Sequence, residues 1–274
     1  MTIDDTLFAG VDALIRKIAG NEVLPRYRAL RQDDIVEKAP GDLVTVADHA
    51  VEAALADGLA TLLPAARFIG EERCAREPAL LDTLGDGLVW VVDPIDGTGN
   101  FAAGQPPFAV MVALLRDGVT IAAWIYDPLA DRMTSARQGM GTRSNGAPLG
   151  TGGQTGGPDD WTGIVSRFAM PDGMAPAVTA LEAGIGTTVP TRRCAGHEYV
   201  LVAEGSRDFA LYWRTLAWDH VAGALLLTEA GGVVERLDGT PYRPGSTGTG
   251  LLLARDRRIA DHVRALLGQA TGPA

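Results

Sequence analysis

Apolar residues recur at helical spacing from the start of the chain. Leu7, Val11, Leu14, Ile15 and Ile18 fall on one face, and the pattern predicts a long amphipathic helix over 7–30. A second apolar face, Val46, Ala50, Val51, Ala54, Leu55 and Leu59, begins beside Thr45. That threonine can cap with Asp48 three residues on, and Pro64 marks the stop. Residues 67–69 read as a short strand ending at Gly70. The compact apolar run 88–92 leads straight into Asp-Pro-Ile-Asp-Gly-Thr, where Pro and Gly end regular pairing, so Asp93 and Asp96 are expected on a loop at a strand end. Residues 108–115 and 119–126, joined by Arg116-Asp117-Gly118, predict an antiparallel hairpin, and a further strand is expected near Met133.

The stretch 146–160 is rich in glycine and poor in apolar residues, which makes it the linker candidate. Beyond it, strand-like 161–168, a helix near 175–184, strand-like 208–213, a helix over about 219–230, strand-like 250–254 and a last helix from about 256 alternate. That alternation predicts a three-layer α/β unit. The chain therefore divides into an α+β half, 1–148, and an α/β half, 149–274, with no internal repeat.

A chain of 274 residues, 46% of them hydrophobic, buries a substantial core without disulfides. Cys74 and Cys194 are expected as free thiols of a reducing cytoplasm. The N-terminus lacks the basic and apolar regions of a secretory signal, and no apolar stretch approaches the roughly 18 residues of a membrane span. A net charge of −10, from 34 acidic against 24 basic residues, argues against binding nucleic acid or an anionic membrane. An acidic protein that handles an anionic substrate needs local positive charge, which carboxylates holding divalent cations would supply.

Four segments carry candidate chemistry: Asp42-Leu43-Val44-Thr45-Val46-Ala47-Asp48, Gly70-Glu71-Glu72, the stretch from Trp90 to Phe101, and Trp218-Asp219-His220-Val221-Ala222-Gly223 leading to Gly232. In the third, Asp93 and Asp96 stand three apart on a stiff turn, can point at one place and can hold adjacent hard cations, with the Ile95 carbonyl as a further oxygen. Gly97 and Thr98 follow with backbone N–H groups where a phosphate would lie. Taken singly, each segment also has a bland reading. Asp-Pro and Asp-Gly are turn chemistry, Glu-Glu is a solvated face, and Trp218-Asp219 is a core aromatic before a helix cap.

Together and in this order, the segments resemble the signature blocks of the inositol monophosphatase superfamily, W-x-x-D-P-[IL]-D-G-T-x-N-F and W-D-x-x-[AP]-[GA], with its upstream D-L-V-T-x-x-D and G-E-E blocks. The resemblance runs from residue 42 to 232. It implies a layered α-β-α-β-α sandwich, activation by two to three Mg2+ ions, lithium sensitivity and a homodimer. By position it makes Glu71, Asp93, Asp96 and Asp219 metal ligands along with the carbonyl of Ile95. Asp48 and Thr98 match the pair beside the attacking water, and Gly97 and Thr98 the phosphate-binding amides. The implied reaction is hydrolysis of a small phosphate monoester by direct in-line attack of water, with Glu71 among the catalytic groups and Asp93 and Asp219 also near substrate.

The substrate wall departs from the family. Inositol-specific members carry Gly-[ST]-Ala-Ala and an acid shortly before Trp-Asp; here the stretches read Arg193-Cys194-Ala195-Gly196-His197-Glu198 and Tyr212-Trp213-Arg214-Thr215. Arg214 either lies at a surface or grips a second phosphate or carboxylate, which would favour fructose bisphosphate, histidinol phosphate or a 3'-phosphoadenosine nucleotide. A haloacid-dehalogenase reading fails on spacing, because its nucleophile and acid stand two apart and these acids stand three apart. The remaining alternative of another class is a non-catalytic metal-binding dimer or interaction module.

Overall fold

The computed structural model describes residues 3–153, 156–246, 248 and 250–269. Helix α1 (Asp5–Ile18) starts at Asp4, whose carboxylate accepts from the Leu7 amide, and buries Val11, Ile15 and Ile18. It is shorter than the pattern predicts. The turns widen over Ala19–Val23, at Gly20 and Asn21, and the chain then leaves helix in plain turns past Pro25. Glycine and asparagine are weak helix formers and proline has no N–H to donate, which accounts for the early end. Strands β1 (Ile35–Ala39) and β2 (Asp42–Thr45), which the apolar pattern does not reveal, form a separate antiparallel hairpin. Thr45 then caps α2 (Val46–Leu62) as its spacing predicts: its hydroxyl accepts from the Ala47 amide, and Asp48 accepts from the Thr45 amide at 2.8 Å.

After β3 (Arg67–Gly70) and the short helix α3 (Glu71–Arg76) comes β4 (Leu88–Asp96), which differs from expectation in one decisive way. The strand does not stop before the Asp-Pro-Ile-Asp run but continues through it with an extra residue. Asp93 pairs with Met111 and Asp96 with Ala109 of β5 (Ala109–Arg116), three residues against two. Pro94, with no N–H to give the ladder, sits in that bulge. Residues three apart on a regular strand face opposite ways. Met111 and Ala109 are two apart and share a face, so the bulge turns Asp93 and Asp96 to the same side of the sheet.

The short helix α4 (Thr98–Ala102) lies between β4 and β5. The sheet continues through β6 (Val119–Asp127), β7 (Arg132–Arg137), β8 (Thr142–Ser144) and β9 (Ala147–Leu149), giving seven strands in the order β3-β4-β5-β6-β7-β8-β9. The glycine-rich stretch expected as a linker therefore begins as an edge strand, and Ala147–Leu149 spans the boundary expected at 148 and 149. Gln154 and Thr155 of that stretch lie outside the described residues.

The second sheet is built from β10 (Thr162–Val165), β11 (Thr187–Pro190), β12 (Phe209–Tyr212), β13 (Val233–Glu235) and β14 (Leu251–Ala254), ordered β11-β10-β12-β14-β13. Its helices are α5 (Ala175–Ala183), α6 (Ala195–Ala203), α7 (Ala217–Glu229) and α8 (Arg257–Gln269). Helices α1 and α2 cover one face of the first sheet around Trp90, Val92, Val112 and Trp124. On the other face, α6 and α7 lie between the two sheets and bury Met111, Tyr199, Val221 and Leu253 in one core. Helices α5 and α8 close the far side of the second sheet. The layers run α-β-α-β-α, which bears out the fold that the resemblance implies.

The central helix pair fits because Gly223 of α7 faces Tyr199 of α6. A Cβ on Gly223 would stand 2.2 Å from the Tyr199 ring, which is fully buried and has nowhere to go. Gly223→Ala is expected to cost about 1–3 kcal/mol by overpacking. Thermal unfolding should show a fall of several degrees in Tm; an unchanged Tm would mean that the two helices can part at no cost.

Candidate active site

A pocket of about 320 Å³ opens where β4 ends, and the bulged Asp93 and Asp96 form its floor. Three helices each deliver one acid from the first turn: α2 brings Asp48, α3 brings Glu71 and α7 brings Asp219. The unpaired N–H groups and dipole of a helix start favour a negative charge there, which offsets part of the repulsion among these acids. Asp219 sits inside its helix rather than capping it, since α7 starts at Ala217. The fourth helix start is used in the opposite sense. Asp96 belongs to β4, and its carboxylate accepts from the Ala195 amide at 3.1 Å, the Gly196 amide at 2.6 Å and the Cys194 thiol at 3.2 Å at the head of α6.

Burial sets the electrostatics of this cluster. Asp93 is 2% exposed, and burial first, then Glu71, Asp96, Asp219 and Asp48, hold its carboxyl well above the usual range. Its Oδ1 is buried with no hydrogen-bond partner. Asp96 is pushed up to about 7 by burial despite its three donors, and Asp48 likewise to about 7. Burial also raises Glu71, against the pull of Lys38, and Asp219, against the pull of Arg214.

Among the described residues, no three acidic, histidine or cysteine side chains stand close enough as they are to hold one metal ion. Several of the acids are instead engaged by basic or N–H groups. The Lys38 ammonium reaches Glu71 at 2.8 Å and Glu72 at 2.9 Å, α6 holds Asp96, and Arg214 stands 3.7 Å from Asp219. The donors nonetheless suit a hard divalent cation, being all oxygen, clustered, mutually repelling and centred on an orphaned carboxylate atom of Asp93.

Next to the acids the chain turns sharply at Gly97, with φ +87°. A Cβ there would meet the Pro107 carbonyl oxygen at 2.9 Å, so only glycine lets α4 start at this point. Thr98, the first residue of α4, places its hydroxyl 2.9 Å from the Ile95 carbonyl and 3.2 Å from Asp48 Oδ1. The carbonyl proposed from sequence as a cation ligand thus already accepts from a hydroxyl and has one lone pair left to offer.

Asp48, Glu71, Asp93, Ile95, Asp96, Gly97, Thr98, Arg214 and Asp219 are therefore brought to one site. Arg214 stands half-buried in the pocket wall rather than at an outer surface. His197 is not part of it. Its ring faces a separate small cavity beside Asp127 and Arg132, and burial lowers its pKa. Glu198 is fully buried and accepts from the Thr191 hydroxyl at 2.8 Å, the Arg192 amide at 2.6 Å and the Tyr212 hydroxyl. Lys38, Asp42, Phe168 and Arg193 also belong to the site and were not singled out from sequence for it. Asp42 stood inside a recognised block, whereas Lys38, on the unexpected hairpin, and Phe168, in a loop after a strand, carry no local signal.

The model of the inositol monophosphatase family matches residues 5–270. An inositol-1-monophosphatase of Mycobacterium leprae is 34% identical over 256 residues, covering 86% of this chain and 81% of its own. The Nus factor SuhB of Pseudomonas aeruginosa is 31% identical over 223 residues, covering 78% and 80%. SaIMPase-II, at 23% identity, shares the fold in its structures with inositol monophosphate bound, TM-score 0.78 over 96% of this chain and 94% of that one, and with 2'AMP bound, TM-score 0.76 over 97% and 98%. With the fold, the bulged acids and a family match over nearly the whole length in agreement, the chain belongs to the inositol monophosphatase family of phosphatases.

Proposed function

We propose that this chain is a magnesium-dependent phosphatase that hydrolyses a small phosphate monoester, inositol monophosphate or a related sugar phosphate, by direct attack of water. The observation that carries the reading is the buried Oδ1 of Asp93, without a hydrogen-bond partner among the described residues and inside a ring of acids, a place that suits a cation. Glu71, Asp93, Asp96, Asp219 and the Ile95 carbonyl would hold two to three Mg2+ ions. Bound there, magnesium supplies a Lewis acid for the phosphoryl oxygens and makes water a stronger nucleophile. The names of the relatives support the substrate class. The Nus-factor name of one of them bears on the reading as an interaction module, but a complete set of acids favours turnover.

The chain's own groups account for the rest. The amides at Gly97 and Thr98 receive the phosphate oxygens at the start of α4. The Thr98 hydroxyl, held between Asp48 and the Ile95 carbonyl, orients the attacking water and passes its proton toward Asp48. A carboxyl raised to about 7 suits that exchange near neutral pH. Cys74 and Cys194 are both free and buried, which fits a reducing cytoplasm, and no described helix is long and apolar enough to cross a membrane. A homodimer completes the proposal.

Chelation should abolish phosphate release, added Mg2+ should restore it, and excess Ca2+ should inhibit it. Asp93→Asn should lower kcat by about a thousandfold, or about 4 kcal/mol in barrier. Full activity in that variant would sink the assignment. Thr98→Val should reduce kcat by roughly a hundredfold with metal affinity retained, as expected for a lost proton-handling group.

The raised carboxyls also fix a pH dependence. Between about pH 4 and 7 the folded, metal-free protein binds protons at Asp48 and Asp96 that the unfolded chain has released. Stability without metal should therefore fall as pH rises through that window. Mg2+ should restore Tm most strongly near pH 8, where the acids are charged. A chelated protein whose Tm climbs from pH 5 to 8 would contradict this.

A further inference from the structure

The end of the pocket away from the acids is built from Phe168, Arg193 and Arg214. Both guanidinium groups lie against the one phenyl ring, at 4.5 Å for Arg193 and 5.0 Å for Arg214. Some arginines away from the pocket are paired tightly, as Arg132 with Glu204 at 2.9 Å and Arg255 with Asp208 at 3.1 Å. These two are paired loosely. Arg214 stands 3.5 Å from Asp42 and 3.7 Å from Asp219, and the Arg193 guanidinium donates to the Gly41 carbonyl at 2.7 Å, with no carboxylate partner among the described residues.

Two further features show that the pair is built rather than incidental. Arg193 has φ +58°, a left-handed conformation that glycine takes freely and a side chain adopts at a cost. Strain of that kind, kept at a pocket-facing residue, points to use of the side chain. The buried Glu198 then joins the two supports: Oε1 holds Thr191 and Arg192, which precede Arg193, and Oε2 holds Tyr212, two residues before Arg214. The Trp213 indole donates to the Ser166 carbonyl at 2.7 Å and ties the Phe168 loop to the same strand. The neighbours of the wall residues are thus anchored, Tyr212 and Trp213 by buried hydrogen bonds.

We infer that Phe168, Arg193 and Arg214 form a second anion subsite, so that the preferred substrate is a phosphate monoester carrying a further phosphate or carboxylate. This rests on the phosphatase reading of the same pocket, with the reacting phosphate at Gly97 and Thr98 and the second anion at the arginines. Two guanidinium forks on an aromatic face suit either planar carboxylate or phosphate, and they leave the neutral hydroxyls of inositol without a charge to answer them. Glu198 acts as a positioning residue through Thr191 and Tyr212.

The test compares kcat and KM for fructose 1,6-bisphosphate, 2-phosphoglycerate and inositol 1-phosphate, using wild type, Arg193→Gly, Arg214→Ala and Arg214→Lys. Arg193→Gly removes the charge while relieving the backbone, so its Tm should hold or rise and folding does not confound it. Wild type should prefer a doubly anionic substrate. Arg193→Gly and Arg214→Ala should each lower the ratio of its kcat/KM to that of inositol 1-phosphate by roughly ten- to a hundredfold, chiefly through KM, and Arg214→Lys should recover part. The bisphosphate and phosphoglycerate arms tell whether the second group is phosphate or carboxylate. An equal response of all three substrates to both substitutions overturns the subsite while leaving the phosphatase intact. Calorimetric titration of the same compounds with Ca2+ in place of Mg2+ separates the two readings: loss of affinity in the variants, with no turnover of any compound by wild type in the Mg2+ assays, would sustain the subsite and end the phosphatase reading, and no difference in affinity would end the subsite.

Discussion

Asp93 is buried at the centre of four other acids, and a carboxylate so placed must be answered by a cation, a proton or donors from the chain. Much of the architecture around it meets that demand. The bulge in β4 puts Asp93 and Asp96 on one face, and the starts of α2, α3 and α7 direct Asp48, Glu71 and Asp219 to the same place, each with the favourable end of a helix dipole behind it. The head of α6 satisfies Asp96 by three donors, and Lys38 and Arg214 partly neutralise Glu71 and Asp219. What remains unmet is one oxygen of Asp93.

The layered fold is what makes this convergence possible. Helices α6 and α7 lie between the two sheets, so one end of each meets the floor formed by β4 while its length is held in the core. Close approach depends on missing side chains. Gly223 lets α7 lie against Tyr199, and Gly196 lets α6 reach Asp96, since a Cβ there would meet Met111 at 2.9 Å and Asp96 at 3.1 Å. A small displacement of either helix would move a ligand or its donor, which is why packing residues stand inside the signature blocks beside the reactive ones.

The pocket is polarised along its length. Acids crowd one end and two loosely paired arginines occupy the other, in a protein whose net charge is −10. On the proposed reading, a substrate with negative charge at both ends would be matched at one end by cations held by the acids and at the other by the guanidinium groups. Phe168 presents one ring face to both guanidinium groups, which places them side by side.

The sequence by itself determined the parts that depend on local spacing. Thr45 and Asp48 cap α2 because that bond is made three residues apart, and the hairpin at Asp117-Gly118 turns where its residues tolerate positive φ. The blocks around Asp93, Glu71 and Asp219 were legible because each is contiguous and bears a rare combination of residues. Tertiary structure alone decided what depends on a partner strand or a distant loop. Asp93 and Asp96 share a face only because β5 fixes the register across the bulge; a strand considered alone turns them apart. Lys38, Phe168 and Arg193 join Arg214 and Glu71 across separations of tens to more than a hundred residues, and helix α6 showed no apolar face because it is buried on all sides between the sheets. A periodic signal needs one wet side, and none of the residues of α6 is exposed.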